Sequence, residues 1–245
     1  MPPRFFVDQP LHAGDALALP IATARHVQVL RLQPGAALRL FDGRGGEWAA
    51  RIERIGRSEV SVRLGLHDAV DRELALPVTL ALGMPANERM DTVVEKATEL
   101  GVAVIQPLLC ERSVLRLSGE RSQKKVAHWR SVAVAACEQS GRTRVPLIEP
   151  VRSLPEWLRA LPADGAARGV ASLGDGAAAL ASMLPARSGV VALSGPEGGL
   201  APAEDELARA AGFVPVSLGP RVLRADTAPL ALLALLALRA QGQFA

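Results

Sequence analysis

From Phe5 to about Arg72 the hydrophobic positions come in short runs, such as AALRLFD and SEVSVRLGL, broken by Pro34-Gly35, Asp42-Gly43 and Gly45-Gly46. Short apolar stretches punctuated in this way predict strands and turns. The Asp42-Gly43-Arg44-Gly45-Gly46 segment, between LRLF and EWAARI, predicts a hairpin turn. A small β-barrel-like domain over residues 1–72 follows, and DRELALP (71–77) reads as the linker out of it.

Beyond Pro77 the pattern changes. VTLALGM reads as a strand, and Glu88 to Leu100 as a helix with Met90, Val93, Val94, Ala97 and Leu100 on one face, closed by Gly101. VAVIQPLL is the next strand, and a long helix runs from about Gly119 to Ser140. Ser153-Leu-Pro-Glu156 has the form of a capping box opening a short helix. Strands at GVASL, GVVALSG and FVPVSLG enclose a helix from Pro202 to Ala211. Alternating strands and helices over residues 73–245 predict a mostly parallel sheet covered on both faces, so the fold class is α/β.

Composition narrows the setting. Hydrophobic residues make up 49% of the 245, enough for a sizeable core. The only cysteines, Cys110 and Cys137, have no Cys-x-x-Cys or histidine cluster around them, which argues against a disulfide framework and a zinc site; a reducing cytoplasm fits. The N-terminus lacks a signal-peptide core. The longest apolar stretch, APLALLALLAL from Ala228 to Leu238, is far short of the roughly 20 residues a bilayer requires, and predicts a buried or subunit-facing helix rather than a membrane span.

Net charge is only +3, yet of 28 basic residues three are Lys (Lys96, Lys124, Lys125), leaving 25 Arg. Between 110 and 145, Arg112, Arg116, Arg121, Lys124, Lys125, Arg130, Arg142 and Arg144 outnumber Glu111, Glu120 and Glu138. The planar guanidinium suits phosphates and base edges, so this excess favours a polyanionic partner over a mixed solvated face.

Two loops carry candidate chemistry. Ser194-Gly195-Pro196-Glu197-Gly198-Gly199 lies between an apolar strand and a helix, where α/β proteins bind ligands and glycine lets the backbone approach them. Leu218 to Thr227 follows the next strand. Asp226 or Thr227 there could simply cap the last helix, with Pro229 in its first turn. Capping leaves Arg221 and Arg224 unexplained, and they suggest an anion or nucleotide edge. No Gly-Lys-Ser/Thr follows the glycines, and no Gly-x-Gly-x-x-Gly follows the first strand, so neither a nucleoside triphosphate nor NAD is signalled.

SGPEGGL followed by AGFVPVSLGPRVLRADTAPLALLAL resembles the signature of the RsmE-type 16S ribosomal RNA uridine-N3 methyltransferases of the SPOUT superfamily. Glu88-Arg-Met-Asp91 through Gly101, Glu111-Arg-Ser113 and Glu138-Gln-Ser-Gly-Arg142 are similar to that family's central blocks. His26-Val-Gln-Val-Leu-Arg31 and Phe41-Asp-Gly-Arg-Gly-Gly46 resemble its N-terminal module. Two departures are Pro85-Ala-Asn87, where the family often has Lys-Gly, and Asp226 and Pro229, where many members have Glu and a small residue.

The resemblance implies a PUA-like RNA-binding barrel ahead of a trefoil-knotted methyltransferase domain, acting as a homodimer on 16S rRNA or the small ribosomal subunit, without a metal. It implies S-adenosylmethionine held by Leu193, Gly195, Glu197, Gly198, Gly199, Leu218, Gly219, Leu223 and Thr227. Arg224 and Asp226 become the catalytic candidates, and Arg25, Arg31, Arg112, Arg142 and Arg144 the RNA contacts. A SPOUT enzyme for another rRNA or tRNA position, and an RNA-binding assembly factor without catalysis, are the alternatives.

Overall fold

Apolar alternation in the first 70 residues produces one mixed five-stranded sheet: β1 (Arg4–Phe6), β2 (Ala16–Ala18), β3 (Ala37–Phe41), β4 (Glu47–Ile55) and β5 (Val60–Asp68), in the order β1-β3-β4-β5-β2. The computed structural model describes residues 2–57, 59–174, 176–179 and 188–240. It separates into two compact units, Met1–Glu73 with Val134–Val145, and Leu74–Ala133 with Pro146–Ala245.

In the first unit β1 pairs β3 in parallel and the other pairings are antiparallel. The alternate side chains Leu38 and Leu40 of β3 and Val60, Val62 and Leu64 of β5 point into one core with Phe5, Val7 and Ile52. The expected hairpin joins β3 to β4. Its sharp turn needs the left-handed backbone of Gly43, Gly45 and Gly46, and a Cβ on Gly46 would lie 2.1 Å from His67 Nε2.

A helix, α1 (Ile21–Val29), sits where the pattern predicts only strands and turns. Its signal is weak because only Ala24 and Val27 are buried, and Pro20 at its N-cap offers no side-chain cap. It ends in a Schellman motif: Leu32 N–H donates to Val27 O at 3.3 Å and Arg31 N–H to Gln28 O at 2.9 Å.

The second unit is a parallel sheet. Its elements are β6 (Val78–Gly83), α2 (Asn87–Glu99), β7 (Val104–Leu109), α3 (Gly119–Ser140), β8 (Leu147–Ile148), β9 (Arg152–Ser153), α4 (Leu154–Arg159), β10 (Ala167–Ala171), β11 (Ala178–Ala179), β12 (Val190–Ser194), α5 (Pro202–Ala210), β13 (Val214–Ser217) and α6 (Thr227–Ala240). The C-terminal turns of α3 group with the first unit. Strand order is β11-β13-β10-β12-β6-β7-β8, with β9 also on β7.

Every residue of β12 is buried, because both faces of the sheet are covered. Ala81, Val191, Leu193 and Val170 face a cluster with Trp157 and Leu158 of α4, Ala208 of α5 and Phe213. On the other side α6 packs against β12, β6, β10 and α2, burying Leu232, Leu233 and Leu236. The apolar C-terminal run is therefore mainly a core helix, with Leu235 left exposed.

The capping box of α4 is present: Ser153 Oγ accepts from Glu156 N–H while the Glu156 carboxylate accepts from Ser153 N–H. The cap expected at α6 is not. Among the described residues neither Asp226 nor Thr227 supplies a side-chain hydrogen bond there, and the N–H groups of Thr227 and Ala228 go to Arg224 O instead.

Candidate functional site

Because the strands of the second sheet run parallel, the loops after β10, β12 and β13 leave from the same edge, where α/β sheets form ligand clefts. Residues 171–174, 194–200, 218 and 221–225 of these loops line a cleft of about 820 Å³, together with Arg89, Arg112, Pro202, Asp205, Arg209 and Ala228. That volume suits a nucleoside-sized ligand.

The loop after β12 is built by close backbone approach. A Cβ on Gly195 would sit 2.9 Å from Leu200 N, and one on Gly83, at the end of β6, 2.4 Å from Pro196 Cδ. Gly199, at φ +69°, closes the turn, with its N–H on Pro196 O at 2.8 Å.

Side chains hold the loop from neighbouring strand exits. The Glu197 carboxylate accepts from Ala86 N–H at 2.9 Å and lies 3.9 Å from Arg89, which ties the loop to the start of α2. Glu204, 6% exposed, accepts from Ala201 N–H at 3.0 Å and from Glu111 N–H at 2.8 Å. It thus caps α5 and pins the segment after β7. Nothing in the sequence pattern singled out Glu204, since its second partner lies 93 residues away. Arg112 donates to Gly198 O at 3.0 Å and Leu200 O at 3.4 Å.

Of the expected donor-site residues, Gly195, Glu197, Gly198, Gly199, Leu218 and Leu223 line the cleft. Leu193 is wholly buried within β12 and belongs to the α4–α5 core cluster, so it supports the loop from beneath. Gly219 and Thr227 are outside the lining. The lining adds residues that sequence reasoning missed: Arg89 and Arg209, and Ser172 to Gly174 after β10. The segment after β10, Ser172-Leu-Gly-Asp-Gly176, is not among the loops that the sequence pattern singles out, and strand order is what brings Ser172 to Gly174 here.

Charge in the cleft is largely spoken for. Arg209 pairs with Asp205 at 2.7 Å, Arg89 with Glu197, and Arg112 with carbonyls. The side chains of Arg221 and Arg224 have no hydrogen-bond or ion-pair partner among the described residues, and both line the cleft. Asp226, two residues on, has a buried Oδ1 with no hydrogen-bond partner. A buried acceptor without a partner is costly unless water or another group completes its bonding, and Asp226 is not itself part of the cleft lining.

Cys110, beneath the loop at the end of β7, is 2% exposed; burial, with Glu204 nearby, pushes its thiol up to about 12. It stays protonated at neutral pH and is a packing group rather than a nucleophile.

The expected RNA contacts divide. Arg25, Arg31 and Arg144 are exposed on the first unit. Arg142 is corrected: it is 4% exposed and forms a forked pair with Glu73, so its guanidinium is buried against a carboxylate rather than presented on the surface. Arg112 is exposed but committed to the ligand loop. The basic excess from 110 to 145 is partly consumed as well, since Arg116 donates to Glu111 O and Lys124 pairs with Glu120. Among the described residues no His, Cys, Asp and Glu cluster forms a metal site, and no helix is long and apolar enough to cross a membrane.

Comparison with known proteins places this geometry. Residues 72–237 match the model of the RNA methyltransferase domain, and residues 22–65 that of the RNA methyltransferase PUA domain. A ribosomal RNA small subunit methyltransferase E from Synechocystis is 37% identical over 212 residues, covering 84% of this chain and 67% of that protein. One from Bacillus subtilis is 29% identical, covering 93% of each chain. The crystal structure of a ribosomal RNA small subunit methyltransferase E from Neisseria gonorrhoeae bound to S-adenosyl methionine superposes with a TM-score of 0.92 at 36% identity, covering 98% of each chain.

Proposed function

Since this chain belongs to the RNA methyltransferase family and carries its PUA module, we propose that it methylates N3 of a uridine in small-subunit ribosomal RNA with S-adenosylmethionine as donor. The observation that carries the catalytic part is the Arg224 guanidinium, which lines the cleft without a hydrogen-bond or ion-pair partner among the described residues, with Asp226, whose buried Oδ1 is unpartnered, two residues on and outside the lining.

The cleft fits the donor. Gly195 lets the loop fold tightly on its own backbone and Gly198 lets it rest on Arg112, the backbone around 195–199 offers close polar contact, and Leu218 and Leu223 supply apolar faces for an adenine. Leu193, Gly219 and Thr227 act from just behind this lining, fixing the strand and loop ends that carry it. The bound donor supplies an electrophilic methyl group. The protein's own work is to hold the acceptor base in line and manage its charge.

Uridine N3 carries a proton that must leave before it becomes nucleophilic, and the resulting negative charge spreads over N3 and the flanking oxygens. Arg224 stabilises that charge through its unpartnered N–H groups. Asp226 accepts the proton or orients Arg224. Because N3 lies on the pairing edge, the base must be unpaired or flipped out to enter.

The exposed Arg25, Arg31 and Arg144 of the barrel unit bind the RNA backbone, which gives affinity a steep salt dependence. We assign residues 1–72 to RNA binding and 73–245 to methyl transfer, in a homodimer acting in the cytoplasm where its substrate is assembled.

The test is to incubate the protein and labelled donor with rRNA, and with small subunits, from a strain lacking it, and to map the modified nucleotide. Label at N3 of one uridine is expected. Label elsewhere overturns the N3 assignment, and RNA binding without donor affinity leaves a non-catalytic assembly factor.

A further inference from the structure

Glu111-Arg112-Ser113 reads in the sequence as part of a basic stretch facing RNA, but the fold gives Arg112 a different occupation. We propose that Arg112 is a positioning residue for the donor loop: by gripping the carbonyls of Gly198 and Leu200 it sets the shape of the 195–200 loop and hence the affinity for the methyl donor. This rests on the donor-cleft reading above.

Three observations carry it. The guanidinium meets two carbonyls of the same loop, Gly198 O at 3.0 Å and Leu200 O at 3.4 Å, from the exit of a different strand. One Nη1 serving both fixes their relative orientation, which a lone pair contact would not. The stem of Arg112 also lies against Gly198, where an added Cβ would be 3.0 Å from Arg112 Cβ and 3.3 Å from its Cδ. The loop therefore rests on the side chain as well as bonding to it.

The third observation is that Arg112 is itself held. Ser113, 5% exposed, accepts from Cys110 N–H at 3.0 Å and returns its own N–H to Cys110 O at 3.1 Å. Glu111 N–H is bound by the buried Glu204 carboxylate, and Glu111 O takes a hydrogen bond from Arg116 at 2.8 Å. The backbone on either side of Arg112 is thus anchored, so the side chain projects from a rigid base. A residue reaching for a mobile polyanion needs no such footing. One clamping a loop does.

A guanidinium in water would otherwise hydrogen-bond to solvent, and the loop carbonyls likewise. What Arg112 changes is the order of the loop before the donor arrives. Pre-ordering improves affinity by removing an entropy cost from the binding step. Its removal weakens donor binding with little effect on RNA affinity.

The experiment is calorimetric titration of S-adenosylmethionine into wild type, Arg112→Ala and Arg112→Lys, alongside RNA binding at several salt concentrations and circular dichroism to check folding. Arg112→Ala is expected to weaken donor binding about tenfold. Arg112→Lys, which keeps the stem and the charge but has no planar fork, falls between it and wild type. The slope of RNA affinity against salt stays unchanged in both. Unaltered donor affinity in the two variants overturns the proposal, and a salt slope shallower by about 1 with donor affinity intact returns Arg112 to phosphate contact. A wild-type chain that binds no donor overturns the cleft reading itself, and the proposal with it.

Discussion

The carboxylate of Glu197 reaches from the glycine-rich loop to the backbone amide of Ala86, 2.9 Å away, and so fastens the exit of β12 to the entry of α2. Its ion pair with Arg89, at 3.9 Å and partly exposed, adds little beside this bond. Glu197→Gln keeps an acceptor and is expected to bind donor within about twofold of wild type. Glu197→Ala leaves the loop untied and weakens binding by about 1 kcal/mol, roughly fivefold. Calorimetry on both variants checks the order.

Gly83 is fixed by packing rather than by backbone angle. A Cβ there would lie 2.4 Å from Pro196 Cδ and 2.5 Å from Pro196 N, and backbone cannot step aside as a flexible side chain would. Gly83→Ala should cost about 1–3 kcal/mol of stability and also displace the loop, lowering donor affinity. Thermal unfolding with and without donor separates the two effects.

Arg224 and Asp226 carry the chemistry in the proposed reaction. Arg224→Ala and Asp226→Asn are expected to slow single-turnover methyl transfer by about a hundredfold or more. Donor affinity should change little, since neither is required to shape the glycine loop. Wild-type rates in both variants with donor bound would remove the assignment.

Arg31 is the one non-glycine at positive φ among the described residues, at 54°. It occupies the same Schellman position as Gly101 after α2 and Gly212 after α5, where the equivalent hydrogen bonds recur. An L-residue there costs about 1 kcal/mol. Arg31→Gly should therefore raise stability by that order while weakening RNA binding and reducing its salt dependence, a trade that denaturant titration and binding assays read together.

Glu138 supplies a pH test. Burial holds its carboxyl above the usual value of 4.5, against the opposing pull of the Phe6 N–H, His26 and Arg4. The fold binds this proton more tightly than the unfolded chain, so the linked stability is present below 4.5 and is lost as pH rises through the raised native value. Glu138→Gln keeps an acceptor for Phe6 N–H and cannot ionise. Its urea midpoint should vary less than that of wild type across this window.

Much of this protein is legible in its sequence because the signals are local. The period of Met90, Val93, Val94 and Ala97, the Ser153 capping box and the turn glycines after Phe41 each act over a few residues, so α2, α4 and the first hairpin follow from pattern alone. The order of motifs likewise identifies the family and points to the two glycine and arginine loops. Tertiary structure decided what depends on distant partners. Arg112 and Arg142 look alike in a basic stretch, yet one clamps the loop at Gly198 and the other is buried against Glu73. Asp226 reads as a helix cap or a catalytic carboxylate, and the fold leaves its buried Oδ1 without a hydrogen-bond partner among the described residues. Residue type and spacing set local conformation, but whether a charge faces water, a carbonyl or a buried partner depends on strand order, which no short window of sequence encodes.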